Sequence, residues 1–501
     1  MIQIKLQERY YEYDIYSLVK AFYPKEEIHT VSDFPEEAEG EISFRLVVDF
    51  APEEVAVTLY PGPGSAGQDA DERNSEKKVV TERGTIDFSD QRDTKNRVKR
   101  ILYHMLSERT KRTLPWGTLT GIRPTKIPLH LLEEGRGEEE IADFMHETYL
   151  CSDEKTDLAI SIAKREKALL ERLDYEDGYS LYVGIPFCPS RCLYCSFTGY
   201  PADQWEKKMD AYLDALEQEL RFLSESLPGK KCNTIYIGGG TPTTLSAMRL
   251  DRLITMIEHY IPMEHVLEFT VEAGRPDSIT RDKLRAVRRH RVDRISINPQ
   301  TMNQRTLDII GRKHTPEQIR ECYAMAREEG FAHINMDLIV GLPGETIEDV
   351  AHTLEEMKKM RPDNLTVHSL AIKRAARLTM ERDQYLGYPM ENSQAHMDLA
   401  MEAAKEMGLE PYYLYRQKNM AGNMENVGFA AEGAAGIYNI LIMEEKQTIM
   451  ALGAGAACKY VTDGGRTVTR SENVKDVALY MERLPEMIER KRKKLEEIGW
   501  L

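Results

Sequence analysis

No stretch of this 501-residue chain approaches the roughly 18 consecutive apolar residues that a membrane-spanning helix requires. Its opening, Met1-Ile2-Gln3-Ile4-Lys5, lacks the charged segment and apolar core of a secretion leader, so the chain is expected in the cytoplasm. Basic residues are outnumbered: 67 Lys and Arg stand against 83 Asp and Glu, a net charge of −16. That balance excludes a generic nucleic-acid binder, whose contact face would carry a basic stripe. Cysteine is scarce, seven residues in all, and in a reducing compartment they are not expected to pair as disulfides. Four of them, Cys151, Cys232, Cys322 and Cys458, are scattered and read as small buried hydrophobes. What is present suffices for a large core. Apolar residues make up 42%, and 25 Tyr and 12 Phe argue against disorder.

At about 150 residues per domain the length allows three domains, or two if one is a barrel. Residues 1–170 read as an α+β domain, with strands over 42–50, 54–60 and 79–88, a helix over 93–107 and charged helical pattern from 138 to 173. The polar stretch 61–78 reads as a loop, and Gly121-Ile122-Arg123-Pro124-Thr125-Lys126 as a basic surface turn. No catalytic signature appears there. Over 171–375 six short β-rich runs, 181–187, 233–237, 267–271, 293–297, 333–340 and 364–368, alternate with helical stretches such as 204–226, 247–260, 316–330 and 347–360. That alternation predicts a parallel sheet curved into a full or partial barrel, with chemistry at the C-terminal ends of its strands. Residues 376–501 are expected to cover the substrate, with an amphipathic helix over 393–407, glycine-rich turns over 422–436, a strand over 449–452 and a closing helix over 475–498. The Lys491-Arg492-Lys493-Lys494 run in that helix reads as a solvated face.

The remaining three cysteines are not scattered. The end of the first barrel strand reads Tyr182-Val-Gly-Ile-Pro-Phe-Cys188-Pro-Ser-Arg-Cys192-Leu-Tyr194-Cys195. Thiolates select zinc, copper(I) or iron–sulfur clusters. A closed zinc site needs a fourth ligand, and no His or Cys follows at finger-like spacing. A four-iron cluster held by three thiolates would keep one iron open. The spacing leaves both open. Further strand ends carry Gly238-Gly239-Gly240-Thr241-Pro242-Thr243, Glu272, Gln300, Arg312 and Asp337. Taken singly these read as a tight turn, solvated charges or helix caps; together they fall at one expected barrel mouth.

With these motifs in this order, residues 180–460 resemble the radical SAM superfamily. More narrowly they are similar to the oxygen-independent coproporphyrinogen III oxidases (coproporphyrinogen dehydrogenases) and their HemZ-type branch. The resemblance implies an α/β fold: a partial (β/α)6 TIM-like barrel with an N-terminal α+β domain and a C-terminal α+β extension. It implies that Cys188, Cys192 and Cys195 hold a 4Fe–4S cluster whose fourth iron takes S-adenosylmethionine (SAM). Tyr182 and Tyr194 match positions lining the SAM site, Gly239, Gly240 and Thr241 the cradle for its methionine part, and Glu272 the ribose partner. Gln300, Arg312, Asp337 and Ala371 match further contacts to one or two SAM molecules.

The implied reaction is anaerobic heme biosynthesis chemistry. A 5′-deoxyadenosyl radical takes hydrogen from a propionate of coproporphyrinogen III, and loss of CO2 leaves a vinyl group; two rounds give protoporphyrinogen IX. The implied partners are that tetrapyrrole and an electron donor such as a flavodoxin or ferredoxin. Lys373-Arg374-Ala-Ala-Arg377 and Arg416-Gln-Lys418 are basic clusters that could hold propionates. The chain departs from the family at Gly184, where histidine is usual, at Phe197, where a fourth cysteine is usual, and over 422–429, where a His-Asn-x-x-Tyr-Trp pattern is missing. A heme chaperone of the same branch, against which the missing His-Asn-x-x-Tyr-Trp pattern and the large N-terminal region count, and a radical SAM methyltransferase acting on a tetrapyrrole are the rival readings.

Overall fold

The structure is a computed structural model that describes every residue except 35–40, 63–77, Ile122, Thr198, Lys418, Asn419, Ala421 and Asn423. Nearly all of the loop expected over 61–78, Ile122 of the basic turn and Lys418 of the second basic cluster lie outside the described residues. The chain divides into two compact units, Met1–Ser161 and Ile162–Leu501, the boundary falling within the helix Asp153–Leu170.

In the first unit β1 (Ile2–Leu6), β2 (Ile28–Val31), β3 (Phe44–Ala51), β4 (Glu54–Pro61) and β5 (Val80–Thr85) form one sheet in the order β2-β1-β3-β4-β5. β1 runs parallel to both neighbours, while β3, β4 and β5 are an antiparallel meander. Two helices cover one face: Glu12–Phe22 through Ile15, Leu18 and Val19, and Gln91–Thr110 through Val98, Leu102 and Leu106. Asp90 caps the second by accepting the Asp93 amide, and Lys111, at φ 52°, ends it in the left-handed region. The expected β3, β4, β5 and long helix are present; β1, β2 and the helix Glu12–Phe22 come in addition.

The second unit contains β6 (Gly178–Ile185), the two-residue pair β7 (Phe187–Cys188) and β8 (Tyr200–Pro201), β9 (Lys231–Gly239), β10 (Glu268–Gly274), β11 (Arg294–Ile297), β12 (His333–Val340) and β13 (Asn364–Ser369). The six expected barrel strands are β6, β9, β10, β11, β12 and β13. They lie side by side in that order, all parallel, in the partial TIM-like barrel. Helices Met209–Ser226, Ala247–Tyr260, Arg281–Arg288, Pro316–Glu328 and Ile347–Met360 make the crossovers. Their starts are set locally: Ser246 accepts the Arg249 amide, and Thr315 forms a capping box with Gln318.

Strand alternation gives this sheet two different faces. Val183, Ile237, Val271, Ile295, Met336 and Val367 are buried on the apolar one. The strand register puts Tyr182, Tyr236, Glu272, Ser296, Asp337 and His368 on the other, which lines the concave interior. A face this polar would be unusual in a plain packed core. It is a lumen.

The C-terminal segment widens the sheet at both edges. β14 (Glu410–Tyr415) and β15 (Asn426–Ala430) add antiparallel strands beyond β13; β16 (Thr448–Leu452) lies parallel to β6, followed by antiparallel β17 (Ala457–Thr462) and β18 (Thr467–Glu472). The helix Ile437–Glu444 closes the lumen at the N-terminal strand ends. Its Ile437 amide donates to Glu268 Oε2 at 2.6 Å, and Tyr438 stacks on Tyr236 at 4.6 Å between centroids. The closing helix is two, Val477–Glu482 and Leu484–Glu497. Lys491 does not belong to a solvated face: it is buried and bonds Glu219 Oε1 at 2.6 Å. No helix among the described residues is long and apolar enough to cross a membrane.

Candidate active site at the barrel mouth

The cysteine loop leaves the C-terminal end of β6 and is stitched down along its length. β7 pairs with β8 at its two ends. The Gly240 and Thr241 amides donate to Ile185 O and Phe187 O, each at 2.8 Å, tying it to the turn after β9. The Leu193 amide donates to Ile310 O and the Leu378 amide to Leu193 O, each at 2.9 Å, and Arg191 reaches Ala375 O at 2.6 Å. Leu193, Ile310, Leu342, Leu370 and Leu378 form a small apolar core beneath it. Segments after β11 and β13 therefore hold the loop together with its own strand.

All seven cysteines are free thiols. Cys188 is half-buried, with the Thr241 hydroxyl donating to Sγ at 3.7 Å. Burial pushes its thiol up to about 11, against a smaller pull from Thr241. Burial raises Cys195 as well. Cys192 is buried, with Arg275 Nη1 3.7 Å from its Sγ. The turn Gly238–Gly240 admits no side chains beside them. A Cβ on Gly240 would lie 2.6 Å from Phe187 O and 2.9 Å from Cys188 Sγ, and Gly239 takes φ 107°.

Glu272 and Asp337 face the lumen with opposite shifts. Burial, with the charge of Asp337, pushes Glu272 up to about 7, against the Tyr236 hydroxyl that donates to Oε1. Burial also acts on Asp337, but His368, 3.9 Å away, and Asn335 Nδ2, donating at 2.7 Å, hold it below the usual carboxylate range. His368 Nδ1 lies 3.3 Å from the Tyr415 hydroxyl. Arg312 donates from Nε to the Tyr194 hydroxyl at 3.3 Å and from Nη1 to Asn298 O. Tyr182 stacks on Tyr236 at 6.3 Å. Gln300 adopts φ 68°, left-handed for a residue with a Cβ, and is locked there by bonds with Asp337 O and the Ile339 amide. Ala371 begins the segment that returns to the cysteine loop, in an isolated bridge with Met420.

The cysteines, the glycine turn and the lumen residues thus gather at one end of the sheet. Tyr236, Arg275, His368 and Tyr415 belong to the same constellation and escaped the sequence reading. None had a local signal; Tyr236 is found only through the register that sets it beside Tyr182. At Gly184 the carbonyl accepts from the Tyr212 hydroxyl at 2.7 Å, and an added Cβ would stand 3.3 Å from Leu452 O. Position 197 carries a phenylalanine in place of a thiol, 71% exposed.

These surroundings fit a bound cluster and its ligand. Among the described residues no three His, Cys, Asp or Glu side chains converge on a single-ion site. The ligands of a multi-iron cluster sit on separate metal atoms, so such a cluster does not require convergence on one point. On β11 and just past it, Ser296 Oγ, Asn298 Oδ1 and Gln300 Oε1 are buried without hydrogen-bond partners. Of these, the register puts Ser296 on the lumen face, where a polar ligand would satisfy it, while Gln300 lines a cavity with Leu338, Val350 and Leu354.

The radical SAM superfamily profile matches residues 182–357. The oxygen-independent coproporphyrinogen-III oxidase-like protein HemZ of Bacillus subtilis (strain 168) is 41% identical over 411 residues, 81% of this chain and 82% of that one. The chain belongs to the radical SAM superfamily, in the coproporphyrinogen-III-oxidase-like branch. Membership implies a 4Fe–4S cluster and SAM. Relatives of this chain differ in function by name. The heme chaperone HemW of Bacillus subtilis is 32% identical over 310 residues, 61% of this chain and 76% of that one. The oxygen-independent coproporphyrinogen III oxidase of Salmonella typhimurium (strain LT2) is 35% identical over 196 residues, 39% of this chain and 42% of that one.

Proposed function

We propose that this protein decarboxylates coproporphyrinogen III oxidatively to protoporphyrinogen IX, with Cys188, Cys192 and Cys195 holding the cluster. The observation carrying the reading is that the cysteine loop after β6 lies against a glycine turn whose added Cβ would stand 2.9 Å from Cys188 Sγ, with Thr241 and Arg275 reaching the sulfurs of Cys188 and Cys192. When bound, the cluster and SAM supply one-electron cleavage of the sulfonium to a 5′-deoxyadenosyl radical. The chain's own part is binding, orientation and exclusion of water. Gly239, Gly240 and Thr241 admit the methionine part, while Ser296, on the lumen face, offers an acceptor. Tyr182, Tyr236 and Tyr438, stacked on each other, wall the lumen off below. Glu272 is a lumen carboxyl that holds a proton near neutral pH, while Gly184 brings no imidazole.

Glu272 is the residue we assign to the ribose, its two oxygens accepting two hydroxyls. With its carboxyl at about 7, SAM affinity is expected to strengthen as pH rises through that value. Glu272→Gln should remove the rise and weaken binding about 10–100-fold, as measured by calorimetry from pH 6 to 8. The sign for stability is opposite. The folded protein keeps a proton that the unfolded chain releases near 4.5, so this group's contribution falls between 4.5 and about 7.

For the tetrapyrrole, the segment after β13 combines exposed Ile372, Met380 and Leu386 with exposed Arg374 and half-buried Lys373. An apolar macrocycle bearing carboxylates suits such a mixed surface. Arg377 is less suited than the sequence suggests, because Nε and Nη2 are already paired with Glu381 at 2.8 and 2.9 Å. Arg416 is 3% exposed and so stands inside the fold. Arg374→Ala is therefore expected to raise the KM for tetrapyrrole several-fold with SAM cleavage unchanged, and Arg377→Ala to change neither; steady-state kinetics check both.

The test is anaerobic reconstitution with SAM, a reductant and coproporphyrinogen III, analysing 5′-deoxyadenosine and porphyrins together. Vinyl product with stoichiometric 5′-deoxyadenosine supports the proposal. Stable heme binding with no decarboxylated product would favour the chaperone reading, which the relation to HemW and the absence of an imidazole at Gly184 motivate. A methylated product would favour a methyltransferase.

A further inference from the structure

Arg275, just past Gly274 at the end of β10, is 3% exposed, in a position where an arginine needs a specific reason to be. Two arms of its fork are fixed by Asp277: Nε donates to Oδ1 at 2.9 Å and Nη2 to Oδ2 at 2.6 Å. The guanidinium is planar, so this clamp sets the direction of the third arm. Nη1 points into the cysteine loop, donating to Ser190 O at 2.9 Å and Ser190 Oγ at 2.8 Å, and stands 3.7 Å from Cys192 Sγ. The three sulfurs are thus not equivalent. Cys188 is approached by a neutral hydroxyl, that of Thr241, and Cys192 by an aimed cation. The sulfur carries charge only as the thiolate that a metal requires.

We propose that Arg275 is a positioning residue that sets the redox poise of the iron–sulfur cluster through Cys192. The inference rests on the reading that the three cysteines hold such a cluster. Reduction transfers one electron from a low-potential donor to the cluster, adding one negative charge. No bond forms or breaks at Arg275, no proton moves, and the guanidinium remains a cation throughout. A fixed charge and an N–H donor on one thiolate stabilise the more negative, reduced state, and so raise the midpoint potential. The same arm ties the loop to β10 through Ser190, so position and potential are set by one side chain.

The experiment compares wild type, Arg275→Met and Arg275→Lys after anaerobic reconstitution, by iron and sulfide analysis and by redox titration followed by electron paramagnetic resonance. Arg275→Met is expected to titrate at a more negative potential. It should make 5′-deoxyadenosine slowly with a weak donor, and recover with a stronger one such as titanium(III) citrate. Arg275→Lys, which keeps the charge and loses the aimed fork, should shift less in the same direction; it carries the test if Arg275→Met fails to fold or load. Full iron content with a wild-type midpoint in either variant overturns the proposal. So does loss of the cluster from Arg275→Met with an unshifted Arg275→Lys, which would leave Arg275 only the task of holding the loop. A wild-type chain that takes up no 4Fe–4S cluster would instead overturn the reading of the cysteines, and this inference with it.

Discussion

Cys192→Ser protein, purified and reconstituted anaerobically, is expected to lose both the brown iron–sulfur chromophore and all measurable 5′-deoxyadenosine formation. A serine hydroxyl is a hard, weakly acidic donor and a poor substitute for thiolate on iron. Removing one of three ligands also leaves no defined open iron for SAM. The loss should exceed the about 10–100-fold typical of removing a partner one shell out, and Cys188→Ser and Cys195→Ser should behave alike. Cys232→Ser is the control. Cys232 is fully buried in β9 with its thiol directed at Thr234 O, 3.5 Å away, far from the lumen end of that strand. Its replacement should leave iron content and SAM cleavage near wild type. An intact cluster in all three loop variants would remove the functional assignment while leaving the barrel untouched.

The cysteine loop was legible because its information is local: three thiols within eight residues, just past a buried strand. The barrel strands were legible for a related reason. Each is a short apolar run between helical patterns, a signal that needs no knowledge of distant sequence. The lumen was less so. Tyr182, Glu272 and His368 sit inside runs that read as apolar, and only pairing across strands reveals that the polar minority shares one face. β16 lies beside β6 although 262 or more residues separate them, and nothing in 448–452 names that partner. β1 was open to discovery, since Ile2, Ile4 and Leu6 alternate, but at a chain end no turn signal brackets it. Arg275 had no signal at all. Its aim depends on Asp277 two residues on and on Ser190 85 residues away.

Lys491 does carry a signal in the sequence. Leu484, Met487, Lys491 and Leu495 recur at helical spacing and all are buried, so this lysine occupies the apolar stripe of its helix while Arg492 and Lys493 do not. There it donates to Glu219 Oε1 and Asn473 Oδ1, each at 2.6 Å. Glu219 also accepts from the Tyr480 hydroxyl at 2.5 Å, the Gly453 amide at 2.8 Å and Asn473 Nδ2 at 3.0 Å. Lys491→Met is expected to destabilise the second unit by about 3–5 kcal/mol, because a fully buried carboxylate is left without its counter-charge. Glu219→Gln with Lys491→Met should recover much of that loss, since no charge then remains unpaired. Lys493→Met, on the exposed face, should stay within about 0.5 kcal/mol. Thermal unfolding of the four proteins checks the order. The effect should also reach the mouth. Glu219 and Asn473 hold the Gly453 turn, the Ala454 amide donates to the Tyr212 hydroxyl at 3.0 Å, and that hydroxyl donates to Gly184 O at the end of β6. Lys491→Met should therefore weaken SAM cleavage even at temperatures where it remains folded, and the double variant should restore cleavage and stability together. Recovery of stability without recovery of cleavage would cut the network from the site.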